Sequence, residues 1–502
     1  PGRGETSMTS NGLSKFHGIL FGLGMFGGAG PTTVLAQLQL YFTKFLGYDP
    51  VIVGNVRGVS IALDAFLDPL MGYISDRTPG RFGRRMPYIA LGSLVYAAGV
   101  IGMWFAPAGL THAQFYVYLI VMQVVFSIGL TMTGIPFTAL VPEIATGYSA
   151  RTALASWMQA GAYLGNIWGG CIRWYSSWRG NEIAGFQEFA LYSSAVMIVC
   201  YWLFAVLVRE PPLSPGQRLT LEEGRRAGGT VPSLRAALVR HVNGIFRALG
   251  YAFGDRYFII LFLAVFVYQA GILAGLWMYT FLLDDWFGRT WNTPFAQRVL
   301  VGPLSPLRDA FFLYIFFAIG CGVLFLPVWN ALGKRLEKRT CLSLGIVGIG
   351  LVYGSSYFLF APKSFPLLIV YCLLQAFFYC AAYVFPTSML ADIATHSEWQ
   401  RGGANEGMFY GANSFLTKLY NAASIFWTGF ALKYVVQYQE GPDAVQSAET
   451  LWRMRVLYAA PACAAAFIAL LVLFRYDLSR ERMNAITEDL QRRKGGAAQP
   501  GA

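Results

Sequence analysis

The sequence predicts an all-α membrane protein in which twelve transmembrane helices form two six-helix halves. Hydrophobic residues make up 56% of the 502-residue chain and charged residues only 13%, which is far from the balance of a soluble globular protein. The apolar stretches run for about 20 residues or more, the length that a helix needs to cross about 30 Å of hydrocarbon. They also fall into two sets of six, separated by one long polar connection.

Each predicted span follows one apolar stretch. The spans lie near 16–45, 52–75, 87–106, 113–140, 153–176 and 188–208 in the first half, and near 257–284, 309–332, 341–361, 365–391, 404–434 and 452–475 in the second. The predicted domains are a first half over 1–208, a linker over 209–256, a second half over 257–475 and a tail over 476–502. Two stretches of the linker, LTLEEGRR and SLRAALVRHVNGIFRAL, look amphipathic and predict one or two short surface helices.

The distribution of positive charge predicts the orientation of these spans. Placing both termini in the cytoplasm puts most of the 38 Lys and Arg residues on the inner side, as the positive-inside rule requires. The net charge of +12 is then a topology signal, and no nucleic-acid partner is expected. We expect a multi-pass protein of the plasma membrane, which in a bacterium is the inner membrane, with lipids as its surroundings and a monomeric state.

The two halves repeat a short basic turn between their second and third spans. The first turn is GYISDRTPGRFGRRMPYI and the second is NALGKRLEKRTCLSLG. Matching turns of this kind are what a duplicated six-helix unit leaves behind, as secondary transporters show. The sequence contains no HExxH motif, no P-loop and no credible Ser–His–Asp set among its four histidines. Neither an enzyme nor an ATP-driven pump is therefore expected, and no cofactor other than a coupling ion.

Cysteines and the amino-terminal region carry no functional signal. The seven cysteines lie in or beside apolar spans without metal-like spacing, so we interpret them as packing residues. The first apolar run is too long for a cleavable signal peptide. The segment 285–308 is predicted to be a longer external loop.

Span two holds two acids, Asp64 and Asp68, in the sequence LDAFLDPLMGYISDR. A charge in the bilayer centre costs at least a few kcal/mol, so such residues suggest a function. Four residues apart, the two carboxylates share one helix face and repel each other, which favours a cation between them or a proton on one. Oxygen ligands suit a hard ion such as Na⁺. The alternative is that one acid pairs with an arginine or caps a broken helix beside Pro69.

Span eleven holds a lysine, Lys418, with mainly apolar or small residues on either side. Because its ammonium group cannot easily reach the membrane surface, its least costly partner is an acid, and the span-two pair is the candidate. We expect an ion pair that alternates with a bound cation and so couples ion occupancy to closure. A fixed structural ion pair is the alternative.

Polar residues near the inner ends of spans four and ten predict a cytoplasmic gate. Glu143 ends span four, and Asp392, His396, Glu398 and Arg401 cluster at the inner end of span ten. We interpret them as partners of the basic turns, with a proton relay through His396 as the less favoured reading. The gate residues predicted are Arg77, Arg81, Arg84, Arg85, Glu143, Asp392 and Arg401.

The motif LDAFLDPLMGYISDRTPGRFGRRMPYI resembles the glycoside–pentoside–hexuronide:cation symporter family, the melibiose permease-like members of the major facilitator superfamily. The resemblance extends through GIPFTALVPEI, MLADIATHSEW and YGANSFLTK. It implies the major facilitator fold, a cation bound by Asp64 and Asp68 with Thr131 nearby, and Lys418 close to that site. The chain departs from the family at its sugar-binding positions, where Ala29, Gly134, Thr138 and Gln159 stand in place of two acids, a tryptophan and an arginine.

The expected function is therefore cation-coupled symport of a small organic solute by alternating access. A glycoside or sugar acid is the family-level expectation, with Na⁺ or H⁺ as coupling ion. A Na⁺-dependent transporter of lysolipid-like or other amphipathic solutes is the first alternative, because such symporters resemble this chain and also lack the sugar-binding acids. An uncoupled facilitator is the second. Substrate contacts are predicted at polar residues within apolar spans, which are Thr32, Gln37, Gln123, Thr138, Gln159, Gln375 and Asn413.

Overall fold

The computed structural model describes residues 15–78, 83–107, 109–145, 148–210, 234–276, 278–402 and 406–497. Most of these residues are helical, and an isolated β-bridge joins Thr290 and Asp309. The predicted all-α class is therefore confirmed. The linker stretch LTLEEGRR lies outside the described residues, whereas the second amphipathic stretch forms a helix.

The helices of the first part of the chain begin with α1. They are α1 Lys15–Leu35, α2 Pro50–Arg77, α3 Met86–Trp104, α4 His112–Ala139, α5 Tyr148–Gly170, α6 Ile172–Arg179 and α7 Glu182–Leu207, with single turns at Leu38–Leu40 and Val141–Ile144. A π-helical turn over Tyr41–Phe45 ends the first span. Span five is thus divided between α5 and α6.

The second part of the chain begins with the linker helix α8. Its helices are α8 Leu234–Phe253, α9 Arg256–Leu276, α10 Pro294–Val299, α11 Ala310–Tyr314, α12 Gly322–Arg335, α13 Lys338–Leu359, α14 Phe365–Arg401, α15 Glu406–Phe430, α16 Ala448–Leu473 and α17 Arg480–Ala497, with a single turn at Tyr279–Phe281. Further π-helical turns cover Leu282–Gly288, Ile315–Gly320 and Ala431–Val436, and a 3₁₀ helix covers Gly302–Arg308. The predicted external loop therefore has its own helical structure.

Nine segments of the described chain are long and apolar enough to cross a membrane. They are Lys15–Phe45, Met86–Trp104, His112–Ala139, Glu182–Leu207, Arg256–Gly288, Ala310–Arg335, Lys338–Leu359, Phe365–Arg401 and Ala448–Leu473. The other three predicted spans lie on α2, α5 and α15. These helices carry more polar residues, including the acids of span two and Lys418, which lowers their hydropathy. The structure is consistent with twelve spans.

The described helices form two compact units. The first unit comprises Pro1–His241, Arg289–Gly320 and Tyr438–Val445, and the second comprises Val242–Gly288, Cys321–Gln437 and Gln446–Ala502, as far as these ranges are described. Two segments of the predicted second half, Arg289–Gly320 and Tyr438–Val445, thus pack within the first unit.

Glycines allow the helices of the first unit to approach closely. A Cβ atom on Gly161 of α5 would lie 1.9 Å from the carbonyl oxygen of Gly22 of α1. A Cβ atom on Gly129 of α4 would lie 2.1 Å from the backbone nitrogen of Tyr96 of α3. Small residues at helix contacts of this kind are typical of membrane proteins, where van der Waals packing drives helix association. The second of these contacts packs α4, which carries Thr131, closely against α3.

In the second unit, the tail helix α17 packs on the end of α14. The indole Nε1 of Trp399 donates a hydrogen bond of 2.7 Å to Oδ2 of Asp489. This bond, with the neighbouring Arg493, holds the pKa of Asp489 below its usual range. The residues after span twelve therefore join the folded unit.

Candidate functional site

The acid pair of α2 faces a hydroxyl of α4. The Oγ1 atom of Thr131 donates a hydrogen bond of 2.9 Å to Oδ1 of Asp68. Thr131 is only 4% exposed, whereas Asp64 and Asp68 are partly exposed. The structure thus brings together a carboxylate and a hydroxyl that are 63 residues apart, and Asp64 lies one turn earlier on the same face of α2.

Local sequence explains why α2 presents these acids far from its ends. Asp49 is the N-cap, its carboxylate accepts a hydrogen bond of 2.9 Å from the backbone nitrogen of Val51, and Pro50 occupies the first helical position, as is common at helix starts. From there α2 continues for 28 residues to Arg77. At 1.5 Å per residue, Asp64 and Asp68 lie about 21 and 27 Å along the helix.

The donor set suits a hard monovalent cation. Carboxylate oxygens of Asp64 and Asp68 supply negative charge, and a hydroxyl that donates to Asp68 keeps its lone pairs available for an ion. Oxygen donors are those that such ions prefer. The residues present therefore fit Na⁺, with two carboxylates and Thr131 as the groups that would hold it.

The sequence analysis overlooked Arg57, a partly buried arginine of α2. It precedes Asp64 by seven residues and Asp68 by eleven, spacings that place all three on one helix face. The spacing from Arg57 was visible in the sequence. The alternative that one acid pairs with an arginine did not name Arg57.

The seven residues predicted to contact a substrate fall into an exposed group and a buried group. Thr32, Thr138, Gln159 and Asn413 are exposed, whereas Gln37, Gln123 and Gln375 are buried in the packing of their own unit. A solute therefore cannot touch the three glutamines in this conformation, and their role stays a prediction.

Two of the four exposed residues form hydrogen bonds with backbone carbonyl groups of their own helix. The hydroxyl of Thr32 donates to the carbonyl oxygen of Ala29 at 2.7 Å, and that of Thr138 donates to Gly134 at 2.9 Å. Threonines in helices commonly form such bonds.

The basic turn after α2 pairs with the end of α4. The guanidinium of Arg84 contacts the carboxylate of Glu143, and Nη1 of Arg85 lies 3.0 Å from the other oxygen of Glu143. Arg81 and the side chain of Arg77 lie outside the described residues. These ion pairs join elements of one unit, and their function as a gate stays a prediction.

Glu210 anchors the same turn and was not predicted. Its carboxylate accepts hydrogen bonds from the backbone nitrogens of Arg84, Arg85 and Met86, at 3.0, 2.6 and 3.0 Å. They belong to the first residue of α3, to its N-cap Arg85 and to Arg84 just before it, and amides at a helix start have no partner within the helix. No sequence signal links them to Glu210, because the cap lies more than a hundred residues away, beyond α7. Gly83 has a φ of 94°, and a Cβ atom there would lie 2.8 Å from the carboxyl carbon of Glu210.

The second unit has its own cluster at the end of α14. Nζ of Lys338 lies 2.6 Å from Oδ2 of Asp392. Arg401 donates to the carbonyl oxygens of Tyr251 and Gly254, at 3.1 and 2.6 Å. The guanidinium of Arg401 therefore binds carbonyl groups at the carboxyl end of α8. Glu398 lies in the same helical turn as Arg401.

His396 lies against the start of α9. Its Nδ1 atom is 3.9 Å from Oδ2 of Asp255, and both side chains are 2% exposed. Asp255 caps α9 by accepting from the backbone nitrogens of Tyr257 and Phe258, at 2.9 and 3.2 Å. A separation of 3.9 Å is too long for a hydrogen bond, so the two side chains are neighbours that no hydrogen bond joins. Proton relay through His396 stays a prediction.

Lys418 lies on α15 in the second unit and is partly exposed. Asp64 and Asp68 belong to the first unit, and the predicted ion pair with Lys418 stays a prediction.

The segment predicted as an external loop is held to α6 and α7. Arg289 contacts the carboxylate of Glu182 and donates from Nη2 to the carbonyl oxygen of Arg173 and the hydroxyl of Ser176, at 3.0 and 3.1 Å. Oδ2 of Asp309 lies 3.7 Å from Arg289 Nε. The loop is thus bound by a partly buried polar cluster, which was not predicted from the sequence.

These features define a multi-pass membrane transporter built of helices, with a polar site inside its spans. The chain belongs to the family described as MFS/sugar transport protein, whose model matches residues 20–480. The predicted major facilitator fold and the predicted family resemblance are confirmed by this match, and with it the class of transporter rather than enzyme.

Three relatives are similar over most of the chain. An uncharacterized symporter of Synechocystis is 25% identical over 95% of this chain and 96% of its own length. A putative sulfoquinovose importer of Salmonella typhimurium is 24% identical over 96% and 94%. The sodium-dependent lysophosphatidylcholine symporter 1-B of Danio rerio is 21% identical over 89% and 83%. These names support a secondary transporter.

Solved structures share the fold. The xylose transporter XylE from E. coli, in a partially occluded inward open conformation, has a TM-score of 0.56 and 15% identity, covering 93% of this chain and 98% of its own. A peptide transporter POT in complex with sulfate has a TM-score of 0.59 and 14% identity, covering 94% and 96%. At these identities the similarity concerns the fold alone.

Proposed function

We propose that this protein is a cation-coupled symporter of a small organic solute, with Na⁺ as the coupling ion. The observation that carries the proposal is the hydrogen bond between Thr131 and Asp68. It links a hydroxyl of α4 to one acid of the pair on α2, and this supports a cluster of oxygen donors there. We further propose that the site works by alternating access and that the termini lie in the cytoplasm.

Electrostatics favour a cation at this site. Two carboxylates one turn apart repel each other, and the repulsion is strong where water is scarce. A bound cation relieves that repulsion, whereas an empty site requires a proton or a basic side chain nearby. Lys418 is the side chain we assign to the empty state. Competition between Lys418 and the ion for the same carboxylates would couple ion binding to the conformational change.

The solute is proposed to be a glycoside or a sugar acid. The name of the putative sulfoquinovose importer supports an anionic sugar as one member of this class. On α4, Gly134 stands where the family carries an acid, and no atom lies within 4 Å of a Cβ built there. Thr138 is exposed one turn later. This open face of α4 leaves room for a solute but offers it no charge.

A lysolipid-like solute is the second candidate. The similarity to a sodium-dependent lysophosphatidylcholine symporter favours it, as does the absence of acids at the sugar-binding positions. Both candidates predict Na⁺ dependence, so they are separated by substrate rather than by ion. An uncoupled facilitator predicts transport that does not depend on Na⁺.

Thermal melting over a Na⁺ titration tests the cation site. Purified wild type, Asp68→Asn and the control Asp443→Asn are melted in NaCl or in choline chloride at equal ionic strength. Asp443 lies in an exposed loop, so its replacement removes the same charge away from the site. At a hundredfold excess of ion over Kd, binding stabilises the folded state by about 2.7 kcal/mol. We expect a saturable rise in Tm with Na⁺ in wild type and in Asp443→Asn but not in Asp68→Asn.

Uptake into proteoliposomes tests coupling and substrate together. Sulfoquinovose, neutral glycosides and lysophosphatidylcholine are offered with an inward Na⁺ gradient and without one. Accumulation of a sugar that requires the gradient supports the proposal, and accumulation of the lysolipid supports the second candidate. Equilibration without dependence on Na⁺ or pH identifies a facilitator. If melting and uptake respond to pH but not to Na⁺, the coupling ion is H⁺.

A further inference from the structure

The linker helix α8 is fastened to the second unit at its carboxyl end. The hydroxyl oxygens of Tyr251 and Ser397 lie 3.2 Å apart, and the rings of Tyr251 and Phe409 pack with their centroids 5.6 Å apart. The guanidinium of Arg401, which binds the carbonyl groups there, also lies over the Tyr251 ring at 4.8 Å. The last turn of α8 is therefore fixed, and its faces can be assigned.

The described part of α8 has a covered face and an exposed face. Ala248 and Ala252 are one turn apart and only 9% and 0% exposed, so they mark the face turned toward the protein. Phe246 and Phe253 are seven residues apart and share another face, where they are 66% and 39% exposed. At about 100° per residue, this face lies roughly opposite the two alanines. Two large aromatic rings are thus exposed on one side of α8.

The exposed face of α8 meets the start of a membrane span. Only two residues separate Phe253 from Arg256, the first residue of α9. The ring of Phe253 lies 5.7 Å from that of Phe258 and 5.6 Å from that of Phe262, which belong to the first two turns of α9. Because α9 is long and apolar enough to cross a membrane, Phe253 lies where the chain enters the bilayer. The material beside this face is therefore lipid.

The charge of α8 suits an anionic surface. Its 20 residues include Arg235, Arg240 and Arg247 but no Asp or Glu. The side chain of Arg247 is exposed. Amphipathic helices that combine aromatic residues with arginine lie in the membrane interface, where the rings enter the acyl boundary. Their basic groups are attracted to anionic headgroups.

We infer that α8 lies on the membrane surface, on the side proposed to be cytoplasmic, and binds anionic phospholipid. Phe246 and Phe253 lie at the boundary with the acyl chains, and Arg247 binds the phosphate groups. This surface is distinct from the proposed transport site and does not depend on the identity of the ion or of the solute. Binding to lipid holds the linker against the membrane.

Photocross-linking of the full chain tests the inference. The photoreactive residue p-benzoylphenylalanine is placed at Phe246, and the protein is reconstituted in nanodiscs of phosphatidylglycerol and phosphatidylcholine in equal amounts. The control carries the same residue at Gly244, which is exposed and has no atom within 4 Å of a Cβ built there. Two residues from Phe246, it lies roughly on the opposite face. Thermal melting checks that both proteins are folded, and mass spectrometry identifies the adducts.

We expect lipid adducts at Phe246 and few at Gly244. Cross-links from Phe246 to protein in place of lipid would show that the chain itself covers this face, and they would overturn the inference. Equal yields of lipid adducts at the two positions would overturn it as well, because the face would then have no preference for the membrane.

The anionic preference is tested by the ratio of the two lipids among the adducts. Phosphatidylglycerol should exceed its half share, and Arg247→Gln should lower that excess by up to about fivefold, the effect of one basic residue at a membrane surface. The control Arg298→Gln removes an exposed charge from α10, on the side proposed to be external, and should leave the ratio unchanged. No excess in wild type, or equal losses in both arginine variants, would contradict binding of anionic lipid by Arg247.

Discussion

At the scale of single residues, the cation site depends on one hydroxyl and two carboxylates. Asp64 and Asp68 could be named from the sequence because their spacing alone puts them on one helix face. Thr131 was named through the family resemblance, since a threonine within a helix usually bonds to its own backbone. The structure shows instead that its hydroxyl donates to Asp68. Thr133, two residues later, follows the usual pattern and bonds to Gly129 at 2.9 Å.

The first prediction compares these two threonines. Thr131→Val removes the hydroxyl that orients Asp68 and should weaken Na⁺ binding about fivefold to tenfold, the effect of one hydrogen bond of about 1 kcal/mol. Thr133→Val removes a hydroxyl that bonds to its own helix and to Tyr201 rather than to Asp68, and Thr131→Ser keeps the hydroxyl, so both should bind Na⁺ almost as wild type does. The measurement is the Na⁺ concentration that gives half of the maximal rise in Tm. Equal weakening in both valine variants would show that the Asp68 bond is irrelevant.

Some contacts of single residues could not be predicted from the sequence. Glu210 caps α3 through three backbone nitrogens, and Arg289 ties a connecting segment to α6 and α7. Both interactions join residues more than a hundred positions apart. Hydropathy and spacing report on neighbours within one helix and carry no information about such pairs.

At the scale of elements, three helices that carry predicted site residues are less apolar than the other spans. Helices α2, α5 and α15 fall outside the nine segments that qualify by hydropathy, although each coincides with a predicted span. They hold the acid pair, Gln159 and Lys418. Polar residues within a span are expensive, so the helices that bear them are candidates for a solute pathway.

The close contact between helices α1 and α5 depends on a glycine, Gly161. The second prediction is that Gly161→Ala destabilises the protein by about 1–3 kcal/mol, the usual cost of overpacking. The added Cβ atom would lie 1.9 Å from a backbone oxygen of α1, and backbone cannot move aside as a flexible side chain does. The matched control is Gly134→Ala, where no atom lies within 4 Å of the new Cβ. Thermal melting should show a lower Tm for Gly161→Ala and no loss for Gly134→Ala; equal Tm values would contradict the tight contact.

At the scale of the whole molecule, the charge distribution predicts the orientation. The third prediction is that both basic turns and the tail helix α17 face the cytoplasm, as the positive-inside rule requires. Green fluorescent protein fused behind α17 should fluoresce, whereas alkaline phosphatase at the same point should be inactive. A phosphatase inserted within Gly302–Arg308 should be active, because this segment is predicted to lie outside. The opposite pattern in both positions would reverse the topology.

The sequence by itself determined the class of this protein, because membrane helices are selected by composition. Long apolar runs must become helices in hydrocarbon, where every backbone hydrogen bond has to be made within the segment. For the same reason the rare charged residues within those runs, such as Asp64 and Asp68, could be singled out from the chain alone. The family match over residues 20–480 agrees with that class.

Only the tertiary structure decided which distant groups meet. It paired Thr131 with Asp68, buried Gln37 and Gln375 away from any solute, and exposed Phe246 on the linker helix. Each of these outcomes depends on how one helix is rotated and placed against another. Packing contacts between helices fix that geometry, and many combinations of small residues permit them, so no local pattern along the chain records it.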